Sequence, residues 1–327
     1  MDRVRCGVIG VGQLGQHHVR IYEGLPEVDL VGVFDTNAGR LQEISGRHSV
    51  RAFDSAENLI AEVDAISLAV PTSLHHEIGL KVLENGRHLL VEKPITSTAL
   101  EGLDLVSAAK SKDLILGVGH SERFAAPIRA ALEYVNNPRF IEALRLAGFG
   151  PRGTDVSVIH DLMIHDIDLV LSLVDSDVER VEAIGVPVFT PNVDIANARL
   201  SFRNGTVATL TASRVSSDRL RKVRFFQDDS YISVDLLGKA VNILKRKMDF
   251  ADVARLSPKD VRVDELVEVI VPPVEDREPL MLELLDFILS VRGEKEPEVS
   301  GEAGLRALVV ADEIIKDIQS RLKRWRV

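Results

Sequence analysis

The sequence predicts an α/β chain in two parts: a parallel, doubly covered α/β domain over residues 1–119, then an α+β domain over 120–327 with an open, mostly antiparallel sheet. Three observations carry this. Residues 4–119 alternate short apolar strands with helices over short connections, the pattern of a parallel sheet with helices on both faces. After Gly119 the pattern changes to long alternating strands joined by turns, with helices set to one side. Between the first strand and the first helix stands Gly10-Val11-Gly12-Gln13-Leu14-Gly15, the turn that opens a Rossmann dinucleotide-binding domain.

In the first domain the apolar runs at 4–9, 30–34, 50–53, 65–70, 88–92 and 114–119 read as strands. Helical patterns fall between them at 16–23, 38–45, 56–60, 74–84 and 99–110, with Asn85-Gly86 as a carboxy-terminal stop. Gly10 makes a tight turn, Gly12 lets the backbone approach a pyrophosphate, and Gly15 lets helix and strand pack closely. Gln13 and Leu14 fill the same loop and count as cofactor contacts with it. Asp35 stands 20 residues after Gly15, where an acid accepts hydrogen bonds from adenosine ribose hydroxyls. No arginine follows directly in Asp35-Thr36-Asn37, so a 2′-phosphate would meet only a carboxylate, and NAD is favoured over NADP. Ligands of such sheets gather at the carboxyl ends of the strands, which points to Asp35, Pro71, Thr72, Glu92, Lys93, Pro94 and His120, and Thr36 beside Asp35 counts as a cofactor contact.

In the second domain a helix at 126–135 leads to a strand at 140–147, a Gly-rich break at 148–153 and a helical run at 156–174. Strands follow at 181–189, 196–202, 206–213, 223–227, 231–236, 240–244 and 266–271, with Asn204-Gly205 and Asp228-Asp229 as hairpin turns. Helices at 280–291 and 302–322 finish the chain. One face of an open sheet takes the helices and the other must be covered, so a homodimer or homotetramer through that sheet is expected.

The chain has 327 residues, 45% of them hydrophobic, enough for two cores. A net charge of −10 argues against nucleic acid or an anionic membrane as the main partner. The glycine loop comes too early for a signal peptide, and no apolar run spans a bilayer. The single cysteine, Cys6, has no internal partner and reads as a small buried hydrophobe in a cytoplasmic protein.

Two clusters carry possible chemistry. Lys93 ends a strand and precedes a proline, which holds its backbone extended and fixes where its amine points. Beside an oxidised nicotinamide, positive charge and desolvation lower the pKa of a lysine and fit it to exchange a proton with a hydroxyl. The second cluster is Asp161, His165 and Asp168, spaced as one stripe of a largely apolar helix. Such a buried stripe serves proton transfer, or a polar core network around His165. Asp161 and His165, one turn apart, are also spaced to share a cation, but no cysteine or third ligand joins them and no metal is expected.

Taken together, Gly10-x-Gly12-x-x-Gly15, Asp35, Pro71-Thr72-x-x-His75, Glu92-Lys93-Pro94 and Asp161-x-x-x-His165 resemble the glucose–fructose oxidoreductase/inositol dehydrogenase (Gfo/Idh/MocA) family over essentially the whole chain. The resemblance implies NAD(H)-dependent oxidation or reduction of a sugar or cyclitol hydroxyl. It implies Lys93, Asp161 and His165 as catalytic residues, with Pro71, Thr72 and His75 lining the nicotinamide side. Glu92 and Lys93 would approach the nicotinamide ribose and the substrate. His165 is favoured as proton acceptor with Lys93 stabilising the alkoxide; the reverse assignment stays open.

Within the family, Gly119-His120-Ser121-Glu122-Arg123-Phe124 followed by the Asp161–His165 segment is similar to the branch that oxidises carbon 3 of UDP-N-acetylglucosamine, a route to 3-amino sugars of lipid A or surface polysaccharide. Ala125-Ala126-Pro127 departs from the commoner Asn-Pro pair and removes an Asn contact. On the substrate side the expected residues are His120, Arg123, Arg152 and Asp168, the two arginines either pairing with a diphosphate or forming surface salt bridges. Rival readings are a dehydrogenase of free sugars or cyclitols, and a non-catalytic NAD-binding sensor.

Overall fold

The computed structural model describes residues 3–150, 156–249 and 263–325. The chain divides into two compact units, Met1–Ser121 with Glu278–Val309, and Glu122–Arg277 with Val310–Val327.

The first unit is built on a sheet of β1 (Val4–Ile9), β2 (Val28–Phe34), β3 (Ala65–Leu68), β4 (His88–Glu92) and β5 (Leu116–Gly119). Among the described residues these five strands pair in parallel in the order β2-β1-β3-β4-β5. The order reverses between β1 and β3, the switch point outside whose strand ends ligands bind in such folds. The apolar run at 50–53, expected as a strand, makes only one parallel bridge, between Ala52 and Val33. It is too short to extend the ladder beyond the edge of β2.

Helices α1 (Gly15–Gly24), α2 (Ala38–His48), α3 (Ala56–Glu62), α4 (His75–Glu84) and α5 (Ala99–Ser111) connect the strands. Their starts follow from the sequence. Asn37 and Ser55 accept backbone N–H bonds from Arg40 and Asn58, and Thr98 forms a reciprocal capping box with Glu101. The helix Pro279–Val291 also belongs here, because Leu284, Phe287 and Ile288 enter the same core as Val4, Val8, Val19, Tyr22 and Val33.

The second unit carries β6 (Phe140–Leu146), β7 (Val178–Val186), β8 (Ile195–Phe202), β9 (Val207–Ser213), β10 (Leu220–Phe226), β11 (Ser230–Asp235), β12 (Ala240–Arg246) and β13 (Val267–Ile270). They form one sheet in the order β13-β12-β11-β10-β6-β9-β8-β7, antiparallel throughout except for the β6–β9 pair. Gly205, at φ +88°, makes the tight β8–β9 turn. Helices α6 (Ala126–Leu132) and α7 (Ile164–Leu173) pack on one face. That face buries Ile141, Ala143, Leu210, Val223, Phe225, Ile232 and Ile243. On the other face the register lines up Val207, Phe140, Phe226, Tyr231, Leu244 and Val269 in one apolar row across six strands. Val269 is 63% exposed. Phe226 stacks on Phe140 at 5.3 Å and tilts against Tyr231 at 5.1 Å between ring centroids.

Candidate active site

In the first unit the three fingerprint glycines have distinct surroundings. Gly10 has φ +84°, and a Cβ there would meet the Ala69 carbonyl oxygen at 2.6 Å. A Cβ on Gly15 would lie 1.8 Å from the Gly10 carbonyl oxygen, so only hydrogen fits where α1 crosses the loop. Around Gly12 nothing lies within 4 Å. The loop is therefore closed beneath Gly10 and Gly15 and open above Gly12, a cradle that a side chain would fill and that suits a pyrophosphate. Gln13 and Leu14 are exposed on the same loop, ahead of α1.

Asp35 ends β2 beside this cradle. One carboxylate oxygen accepts the Val11 backbone N–H at 2.8 Å and the other accepts that of Asn37 at 2.8 Å, with Thr36 exposed between. Arg40, from the first turn of α2, donates to the carbonyls of Val11 at 2.9 Å and Gly12 at 3.4 Å and to Glu43 at 2.7 Å. This arginine is a site residue that the sequence reading missed, since it follows Asp35 by five positions and reaches the loop only because α2 folds back.

The ends of β3 and β4 lie next in the sheet. The Lys93–Pro94 bond is cis. Pro71 is exposed and Thr72 half-buried, in a 3₁₀ turn, Thr72–Leu74, that leads into α4. His75 is buried, with Nδ1 3.0 Å from the Pro94 carbonyl and Nε2 3.0 Å from the Val70 carbonyl. It thereby ties the loop after β3 to the loop after β4. Burial holds its imidazole below the usual pKa, and the two carbonyls partly offset this.

Glu92 is buried, and its Oε1 sits 3.0 Å from Nε2 of His18 on α1. Burial pushes the Glu92 carboxyl up, but the His18 hydrogen bond and the charge of Lys93 outweigh it and keep the group below its usual range. His120 is buried at the end of β5. Cys6, 1% exposed in β1, has its thiol pushed up by burial and behaves as core.

The second unit holds the other cluster. The helical run expected from 156 to 174 is not uniform, because Ile159–Met163 forms a π turn before α7 begins. Such insertions recur at functional sites because they re-aim side chains. Asp161 and His165 are half-buried while Met163, Ile164, Asp166 and Ile167 between and beside them are buried. Asp168 differs from these two. It is 1% exposed, and both its oxygens accept from Arg123, at 2.6 Å from Nε and 2.7 Å from Nη2. Arg123 and Asp168 are thus each other's bidentate partners. Asp166, also buried, takes Nε and Nη2 of Arg145 at 2.9 and 2.8 Å, and Arg145 donates in addition to Glu122 at 2.9 Å. His160 points elsewhere, with Nε2 3.1 Å from Asp312. Arg152 lies outside the described residues. Among the described residues no group of three or more His, Cys, Asp or Glu side chains is arranged to hold a metal ion.

The family model described as "Oxidoreductase family, NAD-binding Rossmann fold" matches residues 4–120, and that of the GFO/IDH/MocA C-terminal domain matches residues 147–232. The chain belongs to the Gfo/Idh/MocA family of oxidoreductases. A UDP-N-acetylglucosamine 3-dehydrogenase from Acidithiobacillus ferrooxidans is 38% identical to it over 329 residues, covering 99% of this chain and 100% of the relative. A solved structure of a UDP-N-acetylglucosamine 3-dehydrogenase from that organism superposes with a TM-score of 0.88 at 36% identity, covering 98% of this chain and 99% of the other. The scyllo-inositol 2-dehydrogenase (NAD(+)) of Bacillus subtilis is 26% identical over 319 residues, covering 91% of this chain and 89% of the relative. This Gfo/Idh/MocA protein is an oxidoreductase, and its glycine cradle, Asp35 and Glu92-Lys93-Pro94 all fall within the segment matched to the NAD-binding domain. No helix among its described residues is long and apolar enough to cross a membrane.

Proposed function

We propose that this oxidoreductase oxidises a secondary hydroxyl of a sugar nucleotide, carbon 3 of UDP-N-acetylglucosamine, with NAD as the hydride acceptor. The full-length 38% identity to an enzyme of that name carries the substrate class. A carboxylate rather than a cation at the end of β2 supports NAD over NADP. When bound, NAD supplies the electrophilic nicotinamide carbon that takes a hydride.

The chain supplies the rest. Gly10, Gly12, Gln13, Leu14 and Gly15 hold the pyrophosphate on the backbone N–H groups that open α1, and Asp35 with Thr36 takes the adenosine ribose. Pro71, Thr72, His75 and Glu92 line the nicotinamide end. His165, oriented by Asp161, accepts the proton of the reacting hydroxyl, and the ammonium of Lys93 stabilises the alkoxide as it forms. His120 and Arg152 contact the sugar nucleotide. Arg123 acts with Asp168 as a fixed pair rather than as an independent diphosphate clamp, since its fork is already engaged.

The apolar row from Val207 to Val269 supports a homodimer or homotetramer through the open face of the second sheet. Phe226→Arg should then halve the sedimenting mass or more. A buried thiol as the single cysteine supports a cytoplasmic enzyme.

A screen of UDP-N-acetylglucosamine, other UDP-sugars and free polyols, with NAD and NADP side by side, tests the reading. NADH should form with UDP-N-acetylglucosamine. Turnover of inositol alone would transfer the protein to the cyclitol dehydrogenases, a class to which the scyllo-inositol relative belongs. Tight NAD binding without turnover of any sugar would make it a sensor. Lys93→Ala should abolish turnover with NAD still bound, and undiminished turnover would remove Lys93 from the mechanism.

A further inference from the structure

His18 is a buried side chain that joins α1 to the end of β4, just before Lys93. It is 1% exposed on α1, with Nδ1 2.7 Å from Ser67 Oγ on β3 and Nε2 3.0 Å from Glu92 Oε1 on β4. Glu92 is confined on its far side by β5, where a Cβ on Gly119 would lie 2.9 Å from Oε2. Its Oε2 also accepts the Lys93 backbone N–H at 3.3 Å. A carboxylate only accepts, so Nε2 of His18 carries a hydrogen toward Glu92, while Nδ1 shares its hydrogen bond with the Ser67 hydroxyl, which can donate or accept.

Serine, histidine and carboxylate in hydrogen-bonded series are also the parts of a nucleophilic triad. Here Ser67 lies in a strand buried along its whole length and is itself 1% exposed, so no acyl or phosphoryl group reaches its oxygen. A buried, hydrogen-bonded network of this kind fixes geometry.

We propose that His18 is a positioning residue for Lys93, acting through Glu92: it fixes the carboxylate that accepts the Lys93 backbone N–H. Because α1 starts at the pyrophosphate cradle, one side chain then ties the cofactor loop to the proton-handling group. This rests on the reading of Lys93 as that group. Among the described residues, His18 from α1, His75 from α4 and Lys93 on its own segment are titratable groups that act on Glu92. Without the His18 donor the buried Glu92 takes up a proton more readily, and the negative charge beside the Lys93 backbone is lost with it.

The experiment is competitive acetylation of Lys93 in the full-length protein over an alkaline pH series, read by peptide mass spectrometry, for wild type, His18→Ala, His18→Asn and His18→Gln. The first two cannot reach Glu92 with an N–H, whereas glutamine can. In His18→Ala and His18→Asn the Lys93 labelling midpoint should fall by about one pH unit, about a tenfold gain in reactivity below it. With substrate, kcat should drop about 10- to 100-fold while KM for NAD moves less than about threefold. His18→Gln should restore most of both. An unchanged Lys93 midpoint in whichever of the Ala and Asn variants still binds NAD overturns the proposal, as does His18→Gln behaving like His18→Ala. Labelling needs no substrate, so a wild type inactive on nucleotide sugars would sink the substrate reading while leaving the role of His18 to be judged.

Discussion

The Asp35 carboxylate accepts the Val11 backbone N–H at 2.8 Å, so the acid that would meet the adenosine ribose also holds the glycine loop in place. Removing it should therefore cost affinity twice, once through the ribose and once through the loop. A hydrogen bond to a charged group contributes about 1.5–3 kcal/mol, so Asp35→Ser should weaken NAD binding about 10- to 100-fold by fluorescence titration. The same change removes the carboxylate across the loop from Arg40, which stays over the Val11 and Gly12 carbonyls with Glu43 as its partner, so the ratio of NADP to NAD affinity should rise. Adding Arg40→Ala should cancel that gain, and a ratio indifferent to Arg40 would take it out of the cofactor site.

The glycine loop separates folding from binding. At Gly15 a Cβ would sit 1.8 Å from a backbone oxygen, which no rotamer change relieves, so Gly15→Ala should lower stability by about 1–3 kcal/mol or prevent folding. At Gly12 nothing lies within 4 Å, so Gly12→Ala should leave the melting temperature within about a degree or two while NAD affinity falls at least about tenfold. Equal losses of stability in the two variants would mean that the space above Gly12 is not the pyrophosphate's.

Much of this was legible in the sequence because its signals are local. The glycine turn, Asp35 after the second strand and the Glu92-Lys93-Pro94 end are each read within a few residues, and the strand rhythm places them on one edge of a parallel sheet. His18 and Arg40 were not legible. His18 looks like one more polar residue on a helix until the fold brings Ser67 and Glu92 to it from 49 and 74 residues away. The amphipathic pattern at 280–291 announces a helix but not which core receives it, and Leu284 and Phe287 enter the first unit. Helical spacing put Asp168 on a stripe with Asp161 and His165. The π turn at Ile159–Met163 and the Arg123 fork give it a different environment, and neither leaves a mark in residue periodicity.

In the second unit the buried Arg145 meets two carboxylates, Asp166 and Glu122. Deleting one partner strands the other charges in the core, and Asp166→Ala should cost about 3–5 kcal/mol in urea denaturation. Arg145→Met with Asp166→Leu removes both charges and should recover most of that loss. A double variant as unstable as Asp166→Ala alone would mean that packing, not uncompensated charge, sets the cost.

Asp194 gives the clearest pH dependence. Its side chain is fully buried and accepts the backbone N–H groups of Val188, Phe189 and Thr190 at 2.7–2.9 Å, plus the Thr190 hydroxyl at 2.7 Å. These bonds end β7 at Val186 by turning the chain over the carboxylate, where the alternating pattern alone extends the strand to 189. Burial pushes the carboxyl up, but the donors prevail and hold its pKa below the usual value. A carboxyl depressed by folding stabilises the native state above its unfolded pKa, about 3.9, and that contribution vanishes as pH falls through the lower native value. Asp194→Asn replaces an acceptor-only group with one that turns an N–H toward those donors, so at neutral pH it should lose about 1–3 kcal/mol. The gap between wild type and variant in denaturant midpoints should narrow steadily as pH drops below about 4, because protonated Asp194 loses the same bonds. A gap that stays constant down to acid unfolding would show that the loop is held by its packing and not by the Asp194 charge.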